Sequence, residues 1–186
     1  MDAAIHLKLV LIGDKKTGKT TFCNYIQFGL EYLDFADFWT NDGTSFFQKS
    51  FIYNGKNFIF SFRDTPGEQT FDALTKFFIS DAQIIFIFYD YYNKKTFERA
   101  KYLFSFSKEF CNQMDIVVVL IANKYDLHID SKQKSNIVPD EHALKFADKN
   151  NILFSHLSIS EQYSDGVIEL FQKTIKEYIK KKKIRI

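Results

Sequence analysis

The chain has 186 residues, 46% hydrophobic and 26% charged, and a net charge of +2. That suits a single domain whose core stands without disulfide or metal staples, and the near-neutral balance excludes a polyelectrolyte that binds nucleic acid by charge alone. Cys23 and Cys111 fit no metal or redox spacing, no apolar run is long enough to span a bilayer, and no signal-peptide pattern is present. The expected setting is a reducing, cytoplasmic one. Asp2 argues against N-myristoylation, and the lack of a cysteine near the C-terminus argues against prenylation. Phenylalanine is abundant, with 22 copies, and reads as a core filled with rings where other chains use aliphatic residues.

In chain order, His6–Ile12 is an apolar run ending in glycine, which predicts a buried strand. Lys19–Phe28 predicts a helix with Phe22, Tyr25 and Ile26 on one face. The segment 29–45, which holds the sole tryptophan, Trp39, reads as a long irregular loop. Phe46–Tyr53 and Asn57–Arg63 flank Asn54-Gly55 and predict an antiparallel hairpin. Ala82–Tyr89 and Ile116–Ala122 are near-continuous apolar runs, the pattern of strands buried on both faces of a parallel sheet. Lys94–Phe110, Asp140–Lys149 and Asp165–Lys180 predict helices. On the last of these Val167, Leu170, Phe171, Thr174, Ile175 and Tyr178 share a face. Leu127–Val138 reads as a polar surface loop, and Ile152–Ile159 as a weaker strand.

Strands alternating with helices imply an α/β fold: a mostly parallel sheet of six strands, one antiparallel edge strand, and helices on both faces. The expected organisation is one domain over residues 1–180 and a basic tail over 181–186. That tail, KKKIRI, reads either as a solvated helix end or as a weak contact with an anionic membrane surface.

Gly13-Asp14-Lys15-Lys16-Thr17-Gly18-Lys19-Thr20 matches G-x-x-x-x-G-K-[ST] between a predicted strand and a predicted helix, the context the motif requires. Such a loop turns successive backbone N–H groups toward phosphate oxygens, and the helix N-terminus, which Thr21 extends, adds its dipole. Lys19 would neutralise the β- and γ-phosphates, and the Thr20 hydroxyl would bind Mg²⁺. The loop specifies phosphate, not the base.

Asn123-Lys124-Tyr125-Asp126, after the Ile116–Ala122 run, resembles the N-K-x-D guanine-recognition motif of the GTPase superfamily. The resemblance implies that Asp126 accepts from the N1–H and exocyclic amine of guanine. It also implies that the Lys124 stem packs along the base, with Leu127 beside it, and that Asn123 ties this loop to the phosphate loop. Asp64-Thr65-Pro66-Gly67-Glu68-Gln69 resembles the D-x-x-G motif of the same superfamily. By that resemblance Asp64 holds Mg²⁺ through a water and the Gly67 N–H senses the γ-phosphate.

The resemblance extends over nearly the whole chain and is closest to the Rab branch of the Ras superfamily of P-loop small GTPases. It is carried further by Asn54-Gly55-Lys56, Lys76–Ala82, Phe88-Tyr89-Asp90 with Thr96-Phe97, and Val138-Pro139-Asp140-Glu141 with Phe146-Ala147. Leu157-Ser158-Ile159-Ser160 stands where the family has its S-A-K loop behind the guanine. The family implies a slowly hydrolysing GTP/GDP switch in vesicle or membrane trafficking, peripheral to an endomembrane. Effectors, exchange factors and GTPase-activating proteins would read loops 29–45 and 65–76, with no role for nucleic acid.

Three departures stand out. Lys15 replaces the family's glycine or serine, where a bulky side chain obstructs the attacking water or an incoming arginine, or adds a charge near the phosphates. Glu68 stands where the water-positioning glutamine belongs, with Gln69 one residue later. A carboxylate only accepts hydrogen bonds and is repelled by an anionic phosphate, so slow hydrolysis is expected unless the loop shifts Gln69 into place. The magnesium threonine of the first loop falls on Asn41 by ungapped counting; Thr40 is preferred, and Thr44 also flanks it. A chain that holds GTP without hydrolysing it, as a scaffold, is the alternative to the switch. An ATP-dependent P-loop kinase is disfavoured by N-K-x-D.

Overall fold

The computed structural model describes residues 4–29, 46–111, 116–125, 136–159 and 165–184, without the side chain of Asp165. Among them the order is β1 (Ile5–Gly13), α1 (Lys19–Phe28), β2 (Phe46–Tyr53), β3 (Lys56–Asp64), α2 (Asp72–Ile79) and β4 (Ile84–Asp90). It continues with α3 (Lys94–Phe110), β5 (Val117–Asn123), α4 (Asp140–Asn150), β6 (Leu153–His156) and α5 (Asp165–Lys182).

The strands form one sheet in the order β2-β3-β1-β4-β5-β6. All neighbours are parallel except β2 on β3, so the expected α/β architecture with one antiparallel edge strand is present. The hairpin forms because Asn54 (φ 47°) and Gly55 (φ 74°) both adopt positive φ, the backbone of a tight turn that follows strand twist. β4 and β5 are buried along almost their whole length, as their unbroken apolar runs require.

Period-two alternation along β1 sends Leu7, Leu9 and Leu11 to one face and Val10 and Ile12 to the other. On the first face α1 and α5 cover a core in which the Phe171 ring meets Phe22, Phe51, Phe60, Phe62 and Phe86 at centroid distances of 4.1–6.2 Å. The predicted apolar face of α5 is buried at all six positions. On the second face the core takes in Ile79, Phe97, Leu103, Phe104 and Ala143, from α2, α3 and α4.

Several boundaries differ from expectation for physical reasons. Ala82 donates its N–H to the Ile79 carbonyl and closes the end of α2, so β4 starts at Ile84. β6 is only four residues long and pairs with β5 at the sheet edge. The segment expected to be a loop as far as Lys76 is irregular only to Glu68; a 3₁₀ turn at Gln69–Phe71 leads into α2. Val138, expected on a polar surface, is buried, with its N–H donating to the Tyr91 carbonyl. α5 runs to Lys182, and Lys181 donates to the Ile116 carbonyl at 2.7 Å, so the basic run begins inside the fold.

Candidate functional site

The parallel strands end along one edge, the place where ligands bind in such sheets. β1 delivers the phosphate loop there, β3 delivers Asp64, and β5 delivers Asn123. The loop curls because Gly13 (φ 149°), Lys16 (φ 61°) and Gly18 (φ 94°) take conformations open mainly to glycine. Gly18 also lies against Asn123: a Cβ there would fall 2.1 Å from the Asn123 amide nitrogen.

Within the cradle, Thr17 Oγ1 donates to the Asp14 carbonyl at 2.8 Å. Lys19 Nζ donates to the Gly13 and Asp14 carbonyls at 3.0 and 2.9 Å. Burial pulls the Lys19 ammonium below its ordinary pKa, and the charges of Asp64 and Asp14 oppose that shift. A buried lysine held only by neutral carbonyls is a cation lacking an anion of full charge. Phosphate oxygens match that need.

Asp64 is 3% exposed. Its Oδ2 accepts from Thr20 Oγ1 at 2.5 Å, while among the described residues its buried Oδ1 has no hydrogen-bond partner. Burial raises the Asp64 pKa, offset in turn by the Thr20 hydroxyl, the Lys19 charge and the Thr65 backbone. An orphaned carboxylate oxygen beside a hydroxyl is the donor set of a hard cation, and magnesium fits it. Among the described residues no cluster of three or more His, Cys, Asp or Glu side chains could hold a metal alone. Magnesium binds through few protein groups and keeps phosphate oxygens and water among its ligands, which suits this sparse donor set.

Thr65 Oγ1 donates to the Leu11 carbonyl at 2.7 Å and fixes the start of the following loop. Gly67 then packs onto the phosphate loop, where a Cβ would sit 2.3 Å from the Lys15 nitrogen and 2.5 Å from the Asp14 carbonyl carbon. Beyond it, Lys15 Nζ and Glu68 Oε1 lie 3.9 Å apart, both more than half exposed. The two departures from the family pattern thus face each other. Gln69, in the 3₁₀ turn, is exposed and lines the same cavity as Lys15 and Glu68.

On the other side, Asn123 Nδ2 donates to the Thr17 carbonyl at 2.8 Å, the tie between the two loops that N-K-x-D implies. Lys124 (φ 65°) places its Nζ 2.7 Å from Asp90 Oδ2. The Tyr125 N–H donates to the Leu157 carbonyl, and the Leu157 N–H to Ala122. The base-side loop therefore leans on the segment carrying Ser158 and Ile159; Ser158 is buried, and among the described residues its hydroxyl has no partner. Thr21 is exposed on α1. The expectations for Thr40, Thr44, Asp126, Leu127 and Ser160 lie outside the described residues.

Asp90 and Thr65 were missed by sequence reasoning. Parallel register sets Asp90 beside Asn123 at the ends of β4 and β5, so the strand pairing, once known, points to Asp90. For Thr65 no signal in the sequence separates it from a surface threonine.

A model of the Ras family matches residues 8–180. The chain is 29% identical over 184 residues to the Ras-related protein RabH of Dictyostelium discoideum, covering 96% of this chain and 84% of that protein. It is 26% identical over 178 residues to the Ras-related protein Rab-18-B of Danio rerio, covering 96% and 82%. Against the Ras-related protein Rab-26 of Drosophila melanogaster it is 26% identical over 157 residues, and it spans only 39% of that longer protein.

Proposed function

The chain belongs to the Ras family, and from that premise we propose that it is a Rab-like GTP/GDP switch that holds its nucleotide with Mg²⁺ and hydrolyses GTP slowly. The observation that carries this reading is the buried pair Lys19 and Asp64: among the described residues the Lys19 ammonium donates only to carbonyl oxygens and the Asp64 Oδ1 has no hydrogen-bond partner, and a magnesium triphosphate would meet both needs.

In this reading the loop of residues 14–18 wraps the phosphates with backbone N–H groups, and Lys19 neutralises their charge. Thr20 and Asp64 hold the magnesium, which supplies charge neutralisation on the phosphate oxygens when bound, and Thr40 is the proposed third contact. Asp126 selects guanine, with Leu127, Ser158, Ile159 and Ser160 around the base. Gly67 reads the γ-phosphate through its N–H.

The slow step follows from Lys15 and Glu68. Their 3.9 Å approach puts the Glu68 carboxylate on the Lys15 side of the phosphate loop. A carboxylate there accepts from the attacking water but cannot donate to the phosphate, and Lys15 occupies the approach an external arginine would use. The same pair supports a second reading, a GTP-bound scaffold that does not turn over.

Single-turnover hydrolysis separates the two. The Lys15→Gly/Glu68→Gln double variant is expected to hydrolyse GTP at least about tenfold faster than the unmodified chain. Equal rates would overturn the account of these residues. No hydrolysis by the unmodified chain, with acceleration in the double variant, would favour the scaffold. The proposed setting is trafficking on an endomembrane, reached peripherally; among the described residues no helix is long and apolar enough to cross a membrane. The proposed partners are effectors, exchange factors and GTPase-activating proteins at residues 29–45 and 65–76.

A further inference from the structure

On the second face of the sheet, α3 and α4 border a groove of about 540 Å³. Its lining includes the apolar side chains Phe97, Val138, Pro139 and Phe146, with the Phe97 and Phe146 rings edge to face at 6.1 Å. Its walls are cationic. Lys94 and Lys101 come from α3 and Lys145 and Lys149 from α4, with the imidazole of His142 beside them. One carboxylate, Glu98, lines it and is already engaged by Lys101 at 2.6 Å.

This is a segregated charge, since the whole chain carries only +2. Helical spacing produces it: Lys145 and Lys149 stand one turn apart, His142 precedes Lys145 by three residues, and Lys94 and Lys101 are seven apart. Among the described residues Lys145 and Lys149 make no ion pair. Like charges one turn apart repel, so the arrangement works against the isolated helix and is relieved by an external anion.

We infer that the groove between α3 and α4 docks an acidic, amphipathic segment of a partner protein, with carboxylates on the lysine walls and apolar side chains against the floor. The concave apolar floor favours a peptide over a membrane, whose anionic surface is broad, and over nucleic acid, which is gripped through its phosphates. No residue of 65–76 lines the groove.

The test uses the full chain loaded with GDP and a fluorescein-labelled helical peptide with leucine and phenylalanine on one face and glutamate on the other. Anisotropy is expected to report salt-sensitive binding that weakens about tenfold in a Lys145→Glu/Lys149→Glu variant. Folding of the variant is verified by its unchanged nucleotide content. A peptide with lysine replacing glutamate should bind that variant better than it binds the unmodified chain. The inference is overturned if the glutamate peptide does not bind, if it binds the variant equally well, or if the lysine peptide shows no reversal. It is also overturned if phosphatidylserine vesicles bind through Lys145 and Lys149 while the peptide does not.

Discussion

Gly67 is where a single hydrogen atom decides what the site can do. It lies so close to the Lys15 and Asp14 backbone that a methyl group has nowhere to go, because the opposing atoms are main chain and cannot swing aside. Gly67→Ala is therefore expected to push the segment off the phosphate loop and break the Lys15–Glu68 approach. The proposed N–H contact with the γ-phosphate would be lost, and hydrogen bonds to charged groups contribute about 1.5–3 kcal/mol. Affinity for a GTP analogue should fall at least about tenfold while GDP affinity stays near its original value, as competition binding would measure. Equal losses for both nucleotides would show that Gly67 is only a packing residue. Lys15 and Glu68 were legible as departures, since each breaks a motif. Their mutual approach was not, because nothing in the sequence sets the distance between two exposed side chains on different loops.

At the level of elements, legibility followed burial. The runs at Ile84–Asp90 and Val117–Asn123 are apolar throughout because both faces of those strands are covered, and Asn54-Gly55 declares its turn through backbone chemistry alone. α2 was hidden for the opposite reason: only Thr75 and Ile79 are buried, while Leu74 and Phe77 face outward, so no clean stripe appears. Besides its buried Ile79, α2 is tied by a tertiary contact, the Arg99–Asp72 ion pair, whose partners are separated by 27 residues. α5 depends most on one side chain. Phe171 is 1% exposed and touches rings from α1, β2, β3 and β4. Phe171→Ala removes the ring where all these elements meet and should cost about 3–5 kcal/mol. Urea unfolding would register this as a lower midpoint with an unchanged slope. A loss under about 1 kcal/mol would mean the neighbouring rings close the gap.

At the scale of the whole molecule, the fold was readable before the ligand geometry. Three apolar runs, the hairpin and the helices between the strands specify the sheet, whereas the pairing of Asp90 with Lys124 and the orphaned oxygen of Asp64 appear only when strands meet in register. A ligand that binds the folded chain alone stabilises it by mass action, about 2.7 kcal/mol at a hundred times its dissociation constant. For a chain of this size that corresponds to a rise in Tm of roughly 5–10 °C. Magnesium with GTP or GDP should produce that rise in a thermal melt, and magnesium with ATP should not. A matching rise with ATP would sink the guanine assignment.

The clasp between the Asn123 amide and the Thr17 carbonyl has a consequence for how a nucleotide departs. It joins the two lips of the crevice, so a movement of either one strains the other. In the proposed switch, a partner that opened one lip would therefore act on both ends of the nucleotide, and Asn123→Ala is expected to weaken that link by about 1 kcal/mol.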